Sequence, residues 1–375
     1  MPPLARPRNG IALLAGIAAA LIVWTLPPLP DWRVTTTPHS VLQALSPGGR
    51  HVITCHHDKN EVQIQAWNRD DPGREILGLN RDRWSIARFS PDGATLVVIA
   101  PEREVKEYNL ASGNFTNSWR LDYASDVFYS PGGELHYVNG HSVRHLIGQS
   151  VRRLANHQEV HRLPESIDRF RIIRISRHCH PFAVYAKYDA TSCEFLIYDP
   201  FRSEEVARME LPENTVFLDL SRNGHVLLGG LDPFQWRRDR YVVVDGAGFS
   251  RTFGSETSLS PNGDFVVTKH PRERPEWLQK WWPLDEDDTT LDIMDWRTGV
   301  THASFRSNSA LAFSPDNGHV AMMRRDGVVE IYAWPLPTPW GLLAAASLGA
   351  AATVWSIGWL WACWRRTETP HTTLT

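Results

Sequence analysis

An apolar residue followed by a serine that opens a turn recurs seven times along this chain. The sites are Leu45-Ser46-Pro47-Gly48-Gly49, Phe89-Ser90-Pro91-Asp92-Gly93, Tyr129-Ser130-Pro131-Gly132-Gly133, Ile175-Ser176-Arg177, Leu220-Ser221-Arg222-Asn223-Gly224, Leu259-Ser260-Pro261-Asn262-Gly263 and Phe313-Ser314-Pro315-Asp316-Asn317-Gly318. Successive serines stand 44, 40, 46, 45, 39 and 54 residues apart. Proline after the serine presets φ for a turn, Asp or Asn tolerates the bend, and glycine takes up positive φ without steric cost. A turn of this kind every ~40–45 residues restricts the chain to a repeated supersecondary unit that buries its faces against copies of itself.

Each unit reads as strands rich in β-branched and aromatic residues. A first strand ends at the serine. A second follows the turn: 51–55, 95–100, 134–138, 182–186, 225–229, 264–268 and 319–323. A third follows a polar loop: 61–67, 104–110, 142–147, 194–199, 240–245, 290–296 and 328–334. Fourth strands, such as 114–120 and 300–305, are less regular. The expected fold is all-β, a seven-bladed β-propeller over residues 32–336. The last unit stops after its third strand at Trp334 and meets Pro335, Pro337 and Pro339. Its missing strand is expected from residues 32–37, a clasp that removes an open edge.

The pattern resembles the WD-repeat β-propellers and their bacterial relatives with Ser-Pro-Asp-Gly turns. The units that carry the likeness run from Ile86 through Ser90-Pro91-Asp92-Gly93 to Tyr108-Asn109, and from Leu311 through Ser314-Pro315-Asp316 to Trp334. The family's Gly-His pair is missing, and its Trp-Asp pair is blurred to Trp67-Asn68, Tyr108-Asn109 and Tyr198-Asp199. Such a fold hosts many unrelated roles, so the likeness implies architecture and not activity.

Both ends are apolar. Residues 11–30 carry no charge and follow Arg6 and Arg8; residues 340–363 carry none and precede Arg365 and Arg366. The first run (10–28) is expected to be a transmembrane anchor, with a cleaved signal peptide as its rival, and the second (340–363) a transmembrane helix. Arginine-rich flanks place residues 1–9 and 364–375 in the cytoplasm and the propeller outside it. With a net charge of −3 there is no basic field for nucleic acid.

The long final spacing is due to an insertion at 270–288, with Arg272, Arg274, Trp277, Trp281 and Trp282 followed by an acidic half. Insertions on rigid scaffolds are where recognition sits, and Trp and Arg anchor interfaces. A protein partner is the first expectation; packing on the blade or contact with lipid headgroups are other uses of these tryptophans. Arg88, Arg174 and Asp219 are candidates to line a central channel. Cys179 and Cys193 are the candidate disulfide pair, with reduced buried thiols as the alternative. His56-His57, His178-Cys179-His180 and His157-x-x-x-His161 lack the spacing of zinc sites, and neither a metal nor a cofactor is expected. The function expected is a membrane-tethered, non-catalytic binding or scaffold module. A propeller hydrolase or lyase with a site in the channel is the alternative, and a sensor with short cytoplasmic tails a third reading.

Overall fold

The structure is a computed structural model. It describes residues 17–18, 29–37, 40–57, 62–81, 87–99, 104–121, 124–130, 132–139, 150–162, 171–175, 183–188, 192–199, 201–202, 204–212, 215–231, 238–245, 248–254, 256–271, 289–306, 311–324, 326–336, 348–350, 352–357 and 359–361. The chain divides into two compact units, 30–335 and the two ends, 1–29 with 336–375.

The strands of the larger unit form seven four-stranded antiparallel sheets. β1 (Trp32–Thr35) belongs to the last of them. The first sheet holds β2 (Ser40–Leu45), β3 (His51–His57), β4 (Val62–Asn68) and β5 (Asp71–Arg81). The second holds β6 (Ala87–Phe89), β7 (Thr95–Ile99), β8 (Glu104–Asn109) and β9 (Phe115–Arg120). The third holds β10 (Ala124–Tyr129), β11 (Leu135–Asn139), β12 (Ser150–Arg153) and β13 (Glu159–Arg162). The fourth holds β14 (Arg171–Ile175), β15 (Ala183–Tyr188), β16 (Ser192–Asp199) and β17 (Glu204–Pro212). The fifth holds β18 (Thr215–Leu220), β19 (Val226–Leu231), β20 (Arg238–Val244) and β21 (Ser250–Phe253). The sixth holds β22 (Glu256–Leu259), β23 (Phe265–Pro271), β24 (Thr289–Asp295) and β25 (Thr301–Arg306). The seventh is β26 (Leu311–Phe313), β27 (His319–Met323) and β28 (Val328–Ala333), completed by β1.

The clasp has the expected location. Trp32 pairs with Ile331, Val34 with Val329 and Thr35 with Val328 in an antiparallel ladder. Thr36 extends it, its N–H and its Oγ1 both donating to Gly327 O at 3.0 and 2.7 Å. Arg33 Nε lies 3.0 Å from the buried Glu330 carboxylate directly across the ladder, and Glu330 also accepts from Tyr332 OH at 2.7 Å.

Consecutive sheets bury side chains against one another, which makes the larger unit a β-propeller. Trp32, Val34, Val329 and Ile331 of the seventh sheet share a cluster with Leu42, Leu45, Val52 and Trp67 of the first. Ile53 and Ile64 meet Leu96 and Tyr108; Val97 and Val105 meet Val127 and Tyr137. Phe128 and His136 meet Phe201 across the third junction. Phe195 and Ile197 meet Leu220 and Leu228, and Tyr241 and Val243 meet Val266 and Trp296. Phe305 packs on Tyr332 and Phe265 on Trp334.

The repeated serine is a buried acceptor. The Oγ atoms of Ser46, Ser90, Ser130, Ser221, Ser260 and Ser314 accept the N–H of His51, Thr95, Glu134, His225, Phe265 and His319 at 2.8, 2.9, 3.1, 2.9, 3.0 and 2.9 Å. Each hydroxyl thus closes the turn from within and satisfies a donor that the strand ladder leaves over. Ser176 lies outside the described residues. In the last unit the left-handed position falls on Asn317 (φ 60°) and not on Gly318, because Asn tolerates that conformation. A second acceptor ends the third strands. Oδ1 of Asn68, Asn109, Asp199, Asp245 and Asp295 accepts the N–H of Asp70, Ser112, Phe201, Phe249 and Arg297 at 2.9–3.0 Å. The Asx residue of the blurred pair therefore persists because it closes a turn, while the residue before it varies.

Two expectations need correction. The third strand of the third unit is β12 at 150–153, not 142–147, and it pairs with β11 from His136↔Arg153 to Asn139↔Ser150. Ser142-Val-Arg-His-Leu and Ser150-Val-Arg-Arg-Leu are near copies, and the buried Leu154, whose N–H donates to Leu135 O at 2.8 Å, selects the second. The insertion is also shorter than expected, since His270 and Pro271 still pair with Thr290 and Thr289. It spans 272–288.

The outer strands carry a device that the repeat pattern does not announce. In β5, β9, β13, β17 and β25 the register shifts by one residue, at Ile76, Thr116, Val160, Val206 and His302. Bulges near the start of the outermost strand bend an edge that would otherwise accept a foreign strand.

In the smaller unit, 17–18, 348–350, 352–357 and 359–361 are helical, and Thr353 Oγ1 donates to Gly349 O four residues back at 2.8 Å. Leu348, Trp355, Ile357, Trp359, Leu360 and Trp361 are exposed. Among the described residues no helix is long and apolar enough to cross a membrane. All of 10–28 except 17–18, and half of 340–363, lies outside the described residues.

Candidate functional site

Strand direction gives the propeller two unlike ends. The serine turns and the Asx turns share one end, here the turn face. The connections from second to third strand, and from fourth to the next first, share the other, here the loop face. Both ends of the propeller chain leave at the turn face. Trp32 Nε1 donates to Gly49 O at 3.0 Å, Asp31 Oδ2 lies 3.8 Å from His319 Nε2, and Trp334 N–H donates to Gly318 O at 2.7 Å. β23 ends and β24 begins at the loop face, and segment 272–288, which joins them, lies outside the described residues. At its base His270 Nε2 lies 3.5 Å from Asp292 Oδ2, whose other oxygen accepts from Ser304 Oγ at 2.6 Å. Arg272, Arg274, Trp277, Trp281 and Trp282 are outside the described residues. So is Cys179; Cys193 is fully buried in β16.

Arg88, Arg174 and Asp219 occupy one level of the propeller, each two residues before the turn serine on a first strand. Register shifts precede two of them, between Ile172 and Arg174 and between Phe217 and Asp219. Such bulges re-aim the following side chain. Arg88 and Asp219 are half-buried, and Asp219 Oδ1 accepts Leu220 N–H at 2.9 Å. The side chain of Arg174 is outside the described residues.

An open cleft of about 560 Å3 lies between the fourth and fifth sheets on the turn face, lined by Asp199, Arg202, Glu204, Glu205, Val206, Arg222 and Asn223. Asp199 is buried and accepts the N–H of Phe201 and Arg202 at 2.9 and 3.1 Å. Glu204 and Glu205 engage Arg202 and Arg208 at 3.4 and 2.9 Å.

Sequence reasoning missed the histidines that follow the serine turns. His225 Nδ1 meets Gly263 O of the next sheet at 2.9 Å. Any Cβ at Gly263 would collide with His225 Nδ1 and Ser221 Oγ. The His319 ring likewise fills the space beside Gly49 of the first sheet, and His136 meets Phe201 edge-on at 5.2 Å. These rings are wedges between neighbouring turns. The signal was available, because 51, 225 and 319 share one place in the repeat. Among the described residues no group of three or more His, Cys, Asp and Glu could hold a metal ion.

His51 differs from the others, because it is buried and neither ring nitrogen has a hydrogen-bond partner among the described residues. Burial, and then the Arg50 guanidinium, push its pKa down to about 4, with Asp70 opposing. Burial also lowers His136. The folded chain thus refuses protons that the unfolded chain accepts. This stability is complete above pH ~6.5 and is lost as pH falls from there to about 4. Asp92, Asp295 and Asp316, whose carboxyls are held low, act only at still lower pH. Urea unfolding at pH 7 and pH 4.5 should show a loss of roughly 2–3 kcal/mol from His51. His51→Phe should shrink that loss; an unchanged pH dependence would refute the assignment.

No family model matches the chain, and no curated protein matches it.

Proposed function

We propose that this chain is a bilayer-tethered propeller, its seven sheets closed as one seven-bladed ring, that binds a protein partner outside the cytoplasm through its loop face. One observation carries the reading: the propeller's two ends leave side by side on one sheet at the turn face, while β23 and β24, the strands that 272–288 joins, open at the opposite end. A body held at one end presents the other to a partner. The charge-free runs that follow both ends, the Arg pairs beyond them and the exposed Trp355, Trp359 and Trp361 support lipid as the anchor. WD-repeat-like turn chemistry supports a rigid binding scaffold.

A reporter fused after Thr375 should be cytoplasmic, and one inserted at 232–237 on the loop face should be exported. The reverse pattern would overturn the topology. Cross-linking from intact membranes should recover a partner with the full chain and lose it when 272–288 is deleted. Recovery of the same partner from both would remove the insertion from the interface.

A further inference from the structure

We infer that the rim of the turn face is a lipid-contact surface, seated on the headgroup layer of the bilayer that holds the two ends; this rests on the tethered reading above. Among the described residues of the propeller the large exposed apolar side chains are Val41, Phe115, Val160, Val206, Phe249 and Val300. All but Val41 lie within about three residues of the third-to-fourth-strand turn, at the start of the outer strand. Phe115, Phe249 and Val300 stand at or just after the residue that closes the third-to-fourth-strand turn, where Asn109, Asp245 and Asp295 N–H donate to Asn114, Phe249 and Val300 O at 2.9, 3.0 and 2.9 Å. Val160 follows the closure of Arg153 N–H on Gln158 O by two residues, and Val206 is the third residue of β17. The second to sixth sheets each contribute one such side chain, at the same end of the outer strand. Scattered exposed apolar residues are ordinary; five at the same end of five consecutive outer strands are not scattered.

That level is also where the chain ends leave. Trp340 stands five positions beyond Pro335, and Trp32 six positions beyond Leu26. At full extension these reach only about 17 and about 20 Å. If the apolar runs lie in the bilayer, the turn face is drawn to the headgroup layer, where apolar side chains beside polar neighbours are favoured. Rim charges are mostly held in pairs, Arg202 with Glu204 at 3.4 Å, Arg208 with Glu205 at 2.9 Å and Arg297 with Asp245 at 2.8 Å. Among the described residues these pairs balance the basic side chains named, so the surface suits zwitterionic headgroups.

The test uses the full chain in phosphatidylcholine vesicles, with Cys179 and Cys363 changed to Ala and one environment-sensitive label per chain. Phe115→Cys, Val206→Cys and Val300→Cys report the rim; Glu256→Cys and Asp326→Cys report the loop face. Nitroxide lipids labelled near the headgroup should quench rim labels at least three-fold more than loop-face labels. Adding phosphatidylserine or raising salt should leave that ratio unchanged. Equal quenching at both ends, in a chain that still floats with vesicles after an alkaline wash, would overturn the rim surface and leave the tether standing. A chain that no longer floats would overturn both.

Discussion

Replacing Val34 and Thr36 by proline should lower the unfolding midpoint of the whole propeller by roughly 5–10 °C. Thr36 would lose its N–H bond and its Oγ1 bond to Gly327 O. By the alternation of an antiparallel ladder, Val34 would lose its N–H bond to Val329. Trp32 and Val34 would then leave the cluster that joins the seventh sheet to the first. A strand substitution in an ordinary sheet acts locally. Here it opens the junction where the two ends of the chain meet, and bares the edge of β28. The expected loss is about 4 kcal/mol or more, from broken ladder bonds and uncovered apolar surface. Thermal unfolding measures it, together with concentration-dependent association through the bared edge. An unchanged midpoint would mean that the ring is closed elsewhere.

Trp296→Ala should cost about 3–5 kcal/mol, the range for emptying a large buried aromatic site. Trp296 is the largest fully buried side chain among the described residues. Its Nε1 donates to Gly263 O at 2.6 Å, the same carbonyl that His225 meets from the fifth sheet. Phe249 packs on it at 5.6 Å and the Arg297 guanidinium lies 5.4 Å from the ring centre. Trp296→Phe separates the two parts of the effect. It keeps most of the packing, loses the indole donor and should cost about 1–3 kcal/mol. Chemical denaturation of both variants checks this. Equal costs would show that the lost indole hydrogen bond, and not the packing, carries the effect; a loss below 1 kcal/mol in Trp296→Ala would show that the site collapses freely.

The architecture was legible because each unit carries the same chemical requirement. A turn that buries a hydroxyl acceptor and ends in a left-handed residue admits few sequences, so Ser-Pro-Asp-Gly and its variants stand out. The clasp was legible by subtraction, since the last unit lacks a strand and residues 32–37 have no other sheet. The third strand at 150–153 was misread because Val143 and Val151 sit in near-identical strings, and only the buried place of Leu154 separates them. The outer bulges were invisible because a one-residue shift leaves composition unchanged. The wedge role of His225 and His319 lies between units, and a linear repeat shows only what is shared within one. The candidate recognition segment was legible as an excess of length. Its flanking strands β23 and β24 meet it at the loop face, and the segment itself lies outside the described residues.

Amide hydrogen exchange at Val34 and Thr36 in the intact chain tests the closure most directly. Both N–H groups should exchange as slowly as those of Val329 and Ile331 in β28, with the opening energy of the whole propeller. Exchange of Val34 and Thr36 at the rate of an unstructured segment, with β28 still protected, would contradict a ring closed by its own first strand.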